Sequence, residues 1–122
     1  MIEIEEVDEV VRISFYIKGT KCLHREDGPA LILEDGSKEW YINGQLHRVD
    51  GPAVVDKGVD YEAWYIHGKR HRKDGPAVTY YDGRVEWALE GRTYSKEDWF
   101  NALSKENQIK MLYSEYFIKG VT

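Results

Sequence analysis

The chain repeats one heptapeptide, H-R-x-D-G-P-A, three times, beginning at His24, His47 and His71. A short aromatic segment that ends in glycine precedes each copy, a weaker one follows the last, and these segments recur every 23 to 25 residues. Periods of roughly 20–50 residues are typical of repeat proteins, in which each unit is one supersecondary element stacked on its neighbours. The length of 122 residues suits one domain, so we expect residues 1–122 to form a single domain.

Each repeat has the pattern of a β-hairpin. A short apolar strand follows the heptapeptide, and a turn such as Asp35-Gly36 or Asp82-Gly83 leads from it to the aromatic strand. The second repeat carries one extra residue near Lys57-Gly58, which predicts a bulge or a looser turn there. Two alternating segments rich in Val and Ile, Ile2 to Val7 and Val10 to Ile17, predict an opening hairpin.

The repeat pattern ends at Gly91, and the next residues have the pattern of two helices. Ser95 with Asp98 resembles a capping box, and Ser104 is placed to cap the second helix. The predicted buried stripe of that second helix is Ile109, Leu112, Tyr113, Tyr116 and Phe117. We expect the helices to pack on the tryptophan side of the sheet or over its last strand, because a repeat array needs a terminal cap.

These patterns predict a mainly β fold, an elongated, twisted antiparallel β-meander of repeated hairpins with a C-terminal α-helical cap. The expected boundaries are residues 1–18 for the opening hairpin, 19–94 for the repeats and 95–119 for the cap. Side chains alternate between the two faces of a strand. The predicted core face is Ile13, Phe15, Ile17, Trp40, Ile42, Trp64, Ile66, Val85, Trp87 and Leu89. The predicted half-solvated face is Ser14, Tyr16, Lys18, Glu39, Tyr41, Asn43, Ala63, Tyr65, His67, Glu86, Ala88 and Glu90.

The pattern N-G-x-x-H-x-x-x-G that begins at Asn43, followed by a strand, an x-D-G turn and x-x-E-W, resembles the MORN (membrane occupation and recognition nexus) repeat. The resemblance covers Phe15 to Gly91 and implies an elongated antiparallel sheet that serves as a scaffold, a dimerisation surface or a lipid-associated module. The H-R-x-D-G-P-A turn departs from ordinary MORN repeats and resembles a variant in uncharacterised proteins of tailed bacteriophages, giant viruses and some bacteria. The segment Tyr94 to Phe100 also looks like the endings of small phage proteins, which favours a viral origin.

The three equivalent histidines are candidate metal ligands, but their expected spacing argues against a shared metal ion. With two strands per repeat, equivalent residues lie about 10 Å apart, too far to share one zinc ion. We therefore predict no metal and no cofactor. The heptapeptide then has a structural role, in which the His and Arg side chains pack on the turn and the next repeat. In that role Asp27, Asp50 and Asp74 bond the backbone, and Gly28, Gly51 and Gly75 adopt positive φ.

Composition and motifs narrow the class of function. No nucleophile motif, phosphate-binding loop or dinucleotide fingerprint is present, so we expect a protein that is not an enzyme. A net charge of -5 without a basic run disfavours direct nucleic-acid binding. A single cysteine, Cys22, and the lack of an apolar run of about 20 residues predict a cytoplasmic protein without a membrane span, in the host cytosol if it is viral.

The tyrosine column of the half-solvated face is the predicted partner-binding site, with Tyr16, Tyr41 and Tyr65 at its centre and His67 at its margin. Tyrosine supplies rigid amphipathic contact area and is enriched in interfaces. An alternative is that the rings only cover a thin sheet. The predicted function is stoichiometric inhibition of a host defence or regulatory protein.

Two other functions remain open from the sequence. One is a sponge that sequesters a small molecule or nucleotide at a homo-oligomer interface, and the other is a structural or assembly component. A pocket lined by Arg25, Arg48 or Arg72 across two chains would favour the sponge, whereas an exposed aromatic stripe without a pocket would favour protein binding.

Overall fold

The computed structural model of the protein describes residues 2–7 and 10–114. Its strands in chain order are β1 (Ile2–Val7), β2 (Val10–Phe15), β3 (Leu31–Leu33), β4 (Lys38–Glu39), β5 (Tyr41–Ile42), β6 (Gln45–Leu46), β7 (Val54–Asp56), β8 (Tyr61–Ala63), β9 (Tyr65–Ile66), β10 (Lys69–Arg70), β11 (Val78–Thr79), β12 (Val85–Leu89) and β13 (Arg92–Tyr94). Two helices, α1 (Lys96–Ala102) and α2 (Lys105–Leu112), follow the strands.

Nine of these strands form one antiparallel sheet in the order β1-β2-β3-β4-β7-β8-β11-β12-β13, while β5 with β6 and β9 with β10 form two small hairpins beside it. The architecture confirms the predicted mainly β meander with helices at its C-terminal end. The first two strands pair from Ile2↔Phe15 to Val7↔Val10, which confirms the opening hairpin. Asp8 and Glu9, between them in sequence, lie outside the described residues.

The loop of the second repeat confirms the prediction of a looser turn. In the first repeat, Leu33 N donates to Ser37 O at 2.9 Å, so three residues close the turn. In the second repeat, β7 and β8 pair up to Asp56↔Tyr61, which leaves four residues in the loop. The extra residue is accommodated by positive φ at Asp60, where φ is 50°.

Each middle aromatic strand is interrupted at its tryptophan, which the periodicity did not predict. Strand β4 ends at Glu39, Trp40 N donates to Ala53 O at 2.8 Å, and the chain then leaves the main sheet to form β5. Trp64 repeats this break with a 2.7 Å bond to Ala77 O. The segment predicted as one strand therefore contributes to two different sheets.

The tips of the small hairpins are type I′ turns held by the heptapeptide segment about 20 residues earlier in the chain. Asn43 and Gly44 have φ of 51° and 78°, and this pair of positive φ values defines that turn. Gly44 N donates to Leu23 O at 2.8 Å, and Asn43 N donates to His24 Nδ1 at 2.9 Å. The equivalent backbone bonds to His47 Nδ1 and His71 Nδ1 measure 3.0 and 2.9 Å. Each heptapeptide histidine thus holds the hairpin tip that lies 19 or 20 residues further along the chain.

The heptapeptide arginines bind their own turns. The guanidinium carbon of Arg48 lies 3.8 Å from the ring centroid of Trp40. Its Nε donates to Asp50 Oδ1 at 3.3 Å and its Nη1 donates to Pro52 O at 3.1 Å. Arg25 over Phe15 and Arg72 over Trp64 make the same three contacts. The predicted structural role of His and Arg is therefore correct.

The predicted roles of the heptapeptide Asp and Gly were wrong. Asp27, Asp50 and Asp74 accept hydrogen bonds from arginine side chains rather than from the backbone. The glycines that follow them are absent from the positive-φ residues of the described chain. They are needed because a Cβ on Gly51 would lie 2.6 Å from the guanidinium carbon of Arg48, with 2.9 and 2.8 Å for the equivalent contacts at Gly28 and Gly75. A side chain there would displace the arginine.

The centre of the main sheet is built from small side chains. Ala63, Ala77, Val78 and Ala88 are fully buried and form one cluster, against which Tyr61, Tyr65 and Tyr80 pack. Ser14, Ala63 and Ala88 were predicted on the half-solvated face but are buried, since tyrosine rings pack on the cluster that contains the alanines and Ser14 is 1% exposed. Val85, assigned to the core face, is 40% exposed.

The helices cap the last repeat on its tryptophan side, as predicted. Trp99 of α1 is fully buried, with its ring centroid 4.6 Å from that of Trp87, and its Nε1 donates to Arg72 O at 2.9 Å. Leu103 and Met111 complete this second cluster. Trp99 thus contacts Trp87 much as the heptapeptide arginines contact the preceding aromatic rings.

The predicted buried stripe of α2 was wrong. Ile109, Leu112 and Tyr113 are 57%, 52% and 77% exposed, whereas Met111 is buried. Gln108 fixes this orientation, because its Nε2 donates to Phe100 O at 3.0 Å and to Leu103 O at 3.3 Å at the end of α1. Tyr116 and Phe117 lie outside the described residues.

Candidate functional site

The three predicted tyrosines occupy equivalent positions in successive repeats, and all are half-buried. Tyr41 and Tyr65 begin β5 and β9, directly after the tryptophan breaks, and Tyr16 forms a single bridge with Leu23. Tyr41 and Tyr65 are near enough to interact electrostatically, whereas the ring of Tyr16 has the Lys21 ammonium 5.5 Å from its centroid. Tyr41 and Tyr65 thus lie within electrostatic range of each other.

A polar network surrounds these tyrosines. The Tyr41 hydroxyl donates to Glu39 Oε1 at 2.6 Å, and Arg70 Nε donates to the Tyr65 hydroxyl at 3.3 Å. Arg70 Nη1 also donates to Glu86 Oε1 at 3.0 Å, and the Tyr80 hydroxyl donates to Glu86 Oε2. Arg70 therefore joins the Tyr65 ring to the Tyr80 ring through one carboxylate.

The pKa values of the Tyr41 and Tyr80 hydroxyl groups are both raised, so these two groups stay protonated. Burial, with the Glu39 carboxylate beside it, raises the pKa of Tyr41 well above the ordinary value. The hydrogen bond to Glu86 raises the pKa of Tyr80. The hydrogen bond to Tyr65 raises the pKa of Arg70, which keeps its charge. The surface thus offers neutral phenols between fixed charges.

The tyrosine network lies on the sheet face opposite the helical cap. Strand β12 is regular, so Glu86 and Ala88 point away from Trp87 and Leu89. The cap packs on Trp87 and Leu89, while Tyr61, Tyr65 and Tyr80 pack on the cluster that contains Ala88. We call the surface formed by Tyr41, Tyr61, Tyr65, Tyr80, Arg70 and Glu86 the tyrosine face.

The tyrosine face continues onto an exposed edge of the sheet. The rings of Tyr61 and Tyr80 lie 5.5 Å apart between centroids, which brings the loops beyond them side by side. In those loops Val59 and Tyr81 are 60% and 75% exposed and line a shallow depression of about 470 Å³ with Lys57, Gly58 and Asp60. Two large apolar side chains are therefore exposed around one depression at this edge.

His67, predicted at the margin of the site, is exposed at the tip of the β9–β10 hairpin. Its ring centroid lies 4.5 Å from that of His47, and its backbone N–H donates to the same histidine. Burial and the neighbouring His67 lower the pKa of His47. Within the described residues, the ring and backbone contacts of His67 are therefore with His47 of the heptapeptide and not with the tyrosines.

A groove of about 450 Å³ beside the heptapeptide turns is lined by Arg48, Arg72 and Trp64 within one chain. From the sequence, a pocket lined by these arginines across two chains would favour an anionic ligand. The groove in the structure lies within one chain. Both guanidinium groups are already bound to an Asp, a carbonyl and an aromatic ring. Their hydrogen-bonding capacity is thus largely used by the turns.

Sequence reasoning missed Tyr61, Arg70 and Tyr80. The ladder Val78↔Ala63 and Thr79↔Glu62 brings Tyr80 opposite Tyr61, so a cross-strand register would have paired them. Arg70 ends the small hairpin β9–β10, which the single-strand interpretation did not contain. Strand periodicity could therefore not predict that Arg70 lies opposite Tyr65 in that hairpin.

Within residues 2–7 and 10–114, no three His, Cys, Asp or Glu side chains come together as a metal-binding group. Cys22 is half-buried with a free thiol. Of the helices described, none is long and apolar enough to cross a bilayer. Comparisons with protein-family models, curated proteins and solved structures find no match.

Proposed function

We propose that the protein is a non-catalytic binding protein that recognises another protein through the tyrosine face. The observation that carries this proposal is the continuity of half-buried tyrosines with the exposed edge at Val59 and Tyr81. Aromatic groups set in a rigid sheet contribute contact area at little cost in conformational entropy. Fixed charges at Arg70 and Glu86 among the rings would give such an interface directional contacts.

The partner class rests on the resemblance of the heptapeptide repeats to phage and viral proteins. On that basis the proposed role is a small phage protein that binds a host defence or regulatory protein stoichiometrically in the host cytosol. The heptapeptide supports a binding role over a catalytic one in a specific way. Its His, Arg and Asp side chains are bonded within the repeat turns, so these groups act as structural devices at each repeat.

Three single-tyrosine variants test the proposal. Tyr41→Ala and Tyr81→Ala alter the tyrosine face and its edge, while Tyr113→Ala removes a tyrosine directly after α2 that is as exposed as Tyr81 and is the control. Tagged parent and variants are used to capture partners from host lysate, and captured proteins are quantified by mass spectrometry. Binding by isothermal titration calorimetry then follows for the purified partner.

We expect one host protein to be captured equally by the parent and by Tyr113→Ala. The face variants should weaken its binding by a few kcal/mol, as truncated aromatic anchors do. If all three variants capture the same protein equally, the interface lies elsewhere. If the parent captures no host protein above background, the proposed function is wrong.

A further inference from the structure

A second site lies on the opposite side of the sheet, between the last heptapeptide and the helical cap. It is an open cleft of about 600 Å³ lined by His71, Lys73, Leu89, Glu90, Arg92, Tyr94, Ala102, Leu103, Ser104 and Asn107. The groove that contains Arg72 adjoins it, since His71, Lys73 and Asn107 line both. Ligand sites in proteins commonly have volumes of about 300–1,000 Å³, so the cleft is large enough for a small molecule.

Hydrogen bonds hold the walls of this cleft in place. The Trp99 Nε1 bond to Arg72 O fastens α1 to the heptapeptide turn. Glu90 N donates to His71 Nδ1 at 2.9 Å, and Gln108 fastens α2 to the end of α1. Because Nδ1 accepts, a neutral His71 ring carries its proton on Nε2, which remains a donor. The cleft is therefore a preformed feature of the fold.

The rim of the cleft is positively charged in a protein whose net charge is -5. Lys73 and Arg92 are exposed cations that have no salt bridge within the described residues. By contrast, Arg25, Arg48 and Arg72 each pair with an Asp. The described lining includes one carboxylate, that of Glu90, so the cations at the rim exceed the anions.

One of the two cations at the cleft, Lys73, is specific to the last heptapeptide. Lys73 occupies the variable position of the heptapeptide, which is Glu26 in the first repeat and Val49 in the second. The three turns are otherwise built alike, so their geometry does not require a lysine at that position. Arg92 follows Gly91 as Lys69 follows Gly68 and Gln45 follows Gly44, so that position is basic in the last two units.

The floor of the cleft is apolar. Leu89, Tyr94 and Leu103 line the cleft, and Leu89 and Tyr94 pack against the buried cluster to which Leu103 belongs. Asn107 and Glu90 at the edge can bond hydroxyl or amide groups of a ligand. A flat ring on such a floor and an anionic group at the rim would use both parts of the surface.

We propose that this cleft binds a nucleoside phosphate, with the phosphate between Lys73 and Arg92 and the nucleoside on the floor formed by Leu89, Tyr94 and Leu103. Lysine and arginine are the ordinary protein ligands of phosphate oxygens. The Nε2–H of His71 supplies a further donor. This site is separate from the tyrosine face and from any protein partner bound there.

The test uses the full chain, labelled with nitrogen-15 and titrated by nuclear magnetic resonance with AMP, GMP, CMP and UMP. Each matching nucleoside and inorganic phosphate are titrated separately. Lys73→Gln/Arg92→Gln removes the two rim charges. Lys18→Gln/Lys38→Gln removes two exposed lysine charges that do not line the cleft and serves as the control. Far-ultraviolet circular dichroism checks the fold of both double variants.

We expect at least one nucleotide to bind saturably, with shifts at the amides of Lys73, Arg92 and Asn107. The nucleoside alone, phosphate alone and the rim variant should each bind at least about tenfold more weakly, while the control should bind as the parent does. If none of the four nucleotides binds, if the shifts map elsewhere, or if the rim variant binds like the parent, the proposal is wrong. Equal binding of inorganic phosphate and nucleotide would also overturn it, since the floor would then have no role. Should the rim double variant not fold, the two single variants replace it, each with an expected loss of about threefold.

Discussion

Arg48 lies over the indole ring of Trp40, with the guanidinium carbon 3.8 Å from the ring centroid, while its nitrogens bind Asp50 and the carbonyl of Pro52. This arrangement covers an aromatic ring that the sheet alone leaves half-exposed. It occurs three times and is the main packing device of the repeats. The first two predictions separate its steric component from its ionic component.

Replacing Gly51 by alanine should destabilise the protein by roughly 2 kcal/mol, because the new Cβ would lie 2.6 Å from the Arg48 guanidinium carbon and displace it from Trp40. Gly58→Ala is the control, since the nearest atom to its Cβ is a carboxylate oxygen at 3.3 Å on an exposed loop. Chemical denaturation of both variants measures the difference in free energy of unfolding. Equal losses would mean that the arginine position does not depend on the glycine.

Replacing Asp50 by alanine should cost less than about 1 kcal/mol, because the Asp50 side chain is 88% exposed and its ion pair with Arg48 is screened by solvent. Asp74→Ala should cost more, since its 2.8 Å bond to Arg72 is shorter and Arg72 is more buried than Arg48. Urea unfolding of the two variants under one set of conditions tests the order. A larger loss at Asp50 would show that the carboxylate has a role beyond the ion pair.

The free energy of unfolding should fall as the pH is lowered through about 6.5, the ordinary histidine pKa. Burial and the neighbouring His67 lower the pKa of His47, and burial and Lys73 lower that of His71, although Glu90 opposes the second shift. The unfolded chain therefore takes up protons at a higher pH than the folded one, and stability is lost with acidification. Because both rings are partly exposed, each should contribute less than about 1 kcal/mol.

Urea unfolding between about pH 5 and pH 7.5 measures this slope, and His47→Gln/His71→Gln should remove most of it. Asp35 and Asp82 do not contribute to the slope in this pH range. Their ordinary pKa is 3.8, and hydrogen bonds lower the pKa of both groups further, so they titrate in more acidic solution. An unchanged slope in the double variant would assign the effect to other groups.

Replacing Trp99 by alanine should destabilise the protein by about 3–5 kcal/mol, since the ring is fully buried against Trp87 and its Nε1 bonds Arg72 O. Tyr113→Ala, at an exposed position directly after α2, should stay within about 0.5 kcal/mol of the parent. Thermal unfolding followed by circular dichroism compares them. A near-neutral Trp99 variant would mean that the cap is not needed for the stability of the last repeat.

The repeated hairpins, the opening hairpin and the helical cap could be predicted because each depends on local signals. The turn at Asp35-Gly36 is an example, since it was predicted from the residue types alone, and Gly36 adopts a φ of 91° there. The break at Trp40 could not be predicted in this way. It depends on a hydrogen bond to Ala53 in the next repeat, and the break moves the following residues into a different hairpin.

The candidate site could be predicted only in part for the same reason. Alternation placed Tyr41, Tyr65 and Glu86 on one side, and the structure places all three on the tyrosine face. The burial of Ala63 and Ala88 beneath tyrosine rings depends on residues from neighbouring strands. The exposed stripe of α2 was mispredicted because Gln108, a polar residue, binds the end of α1 and turns Met111 inward.

The contact between Trp99 and Trp87 has a consequence for how a chain of this kind can change length. Every earlier ring receives an arginine from the repeat that follows it, whereas the last receives a residue from the cap. A further unit of 23 or 24 residues inserted before Trp87 would meet the same kinds of neighbour on both sides. The number of units, and with it the extent of the tyrosine face, can therefore vary by duplication while the cap sequence stays unchanged.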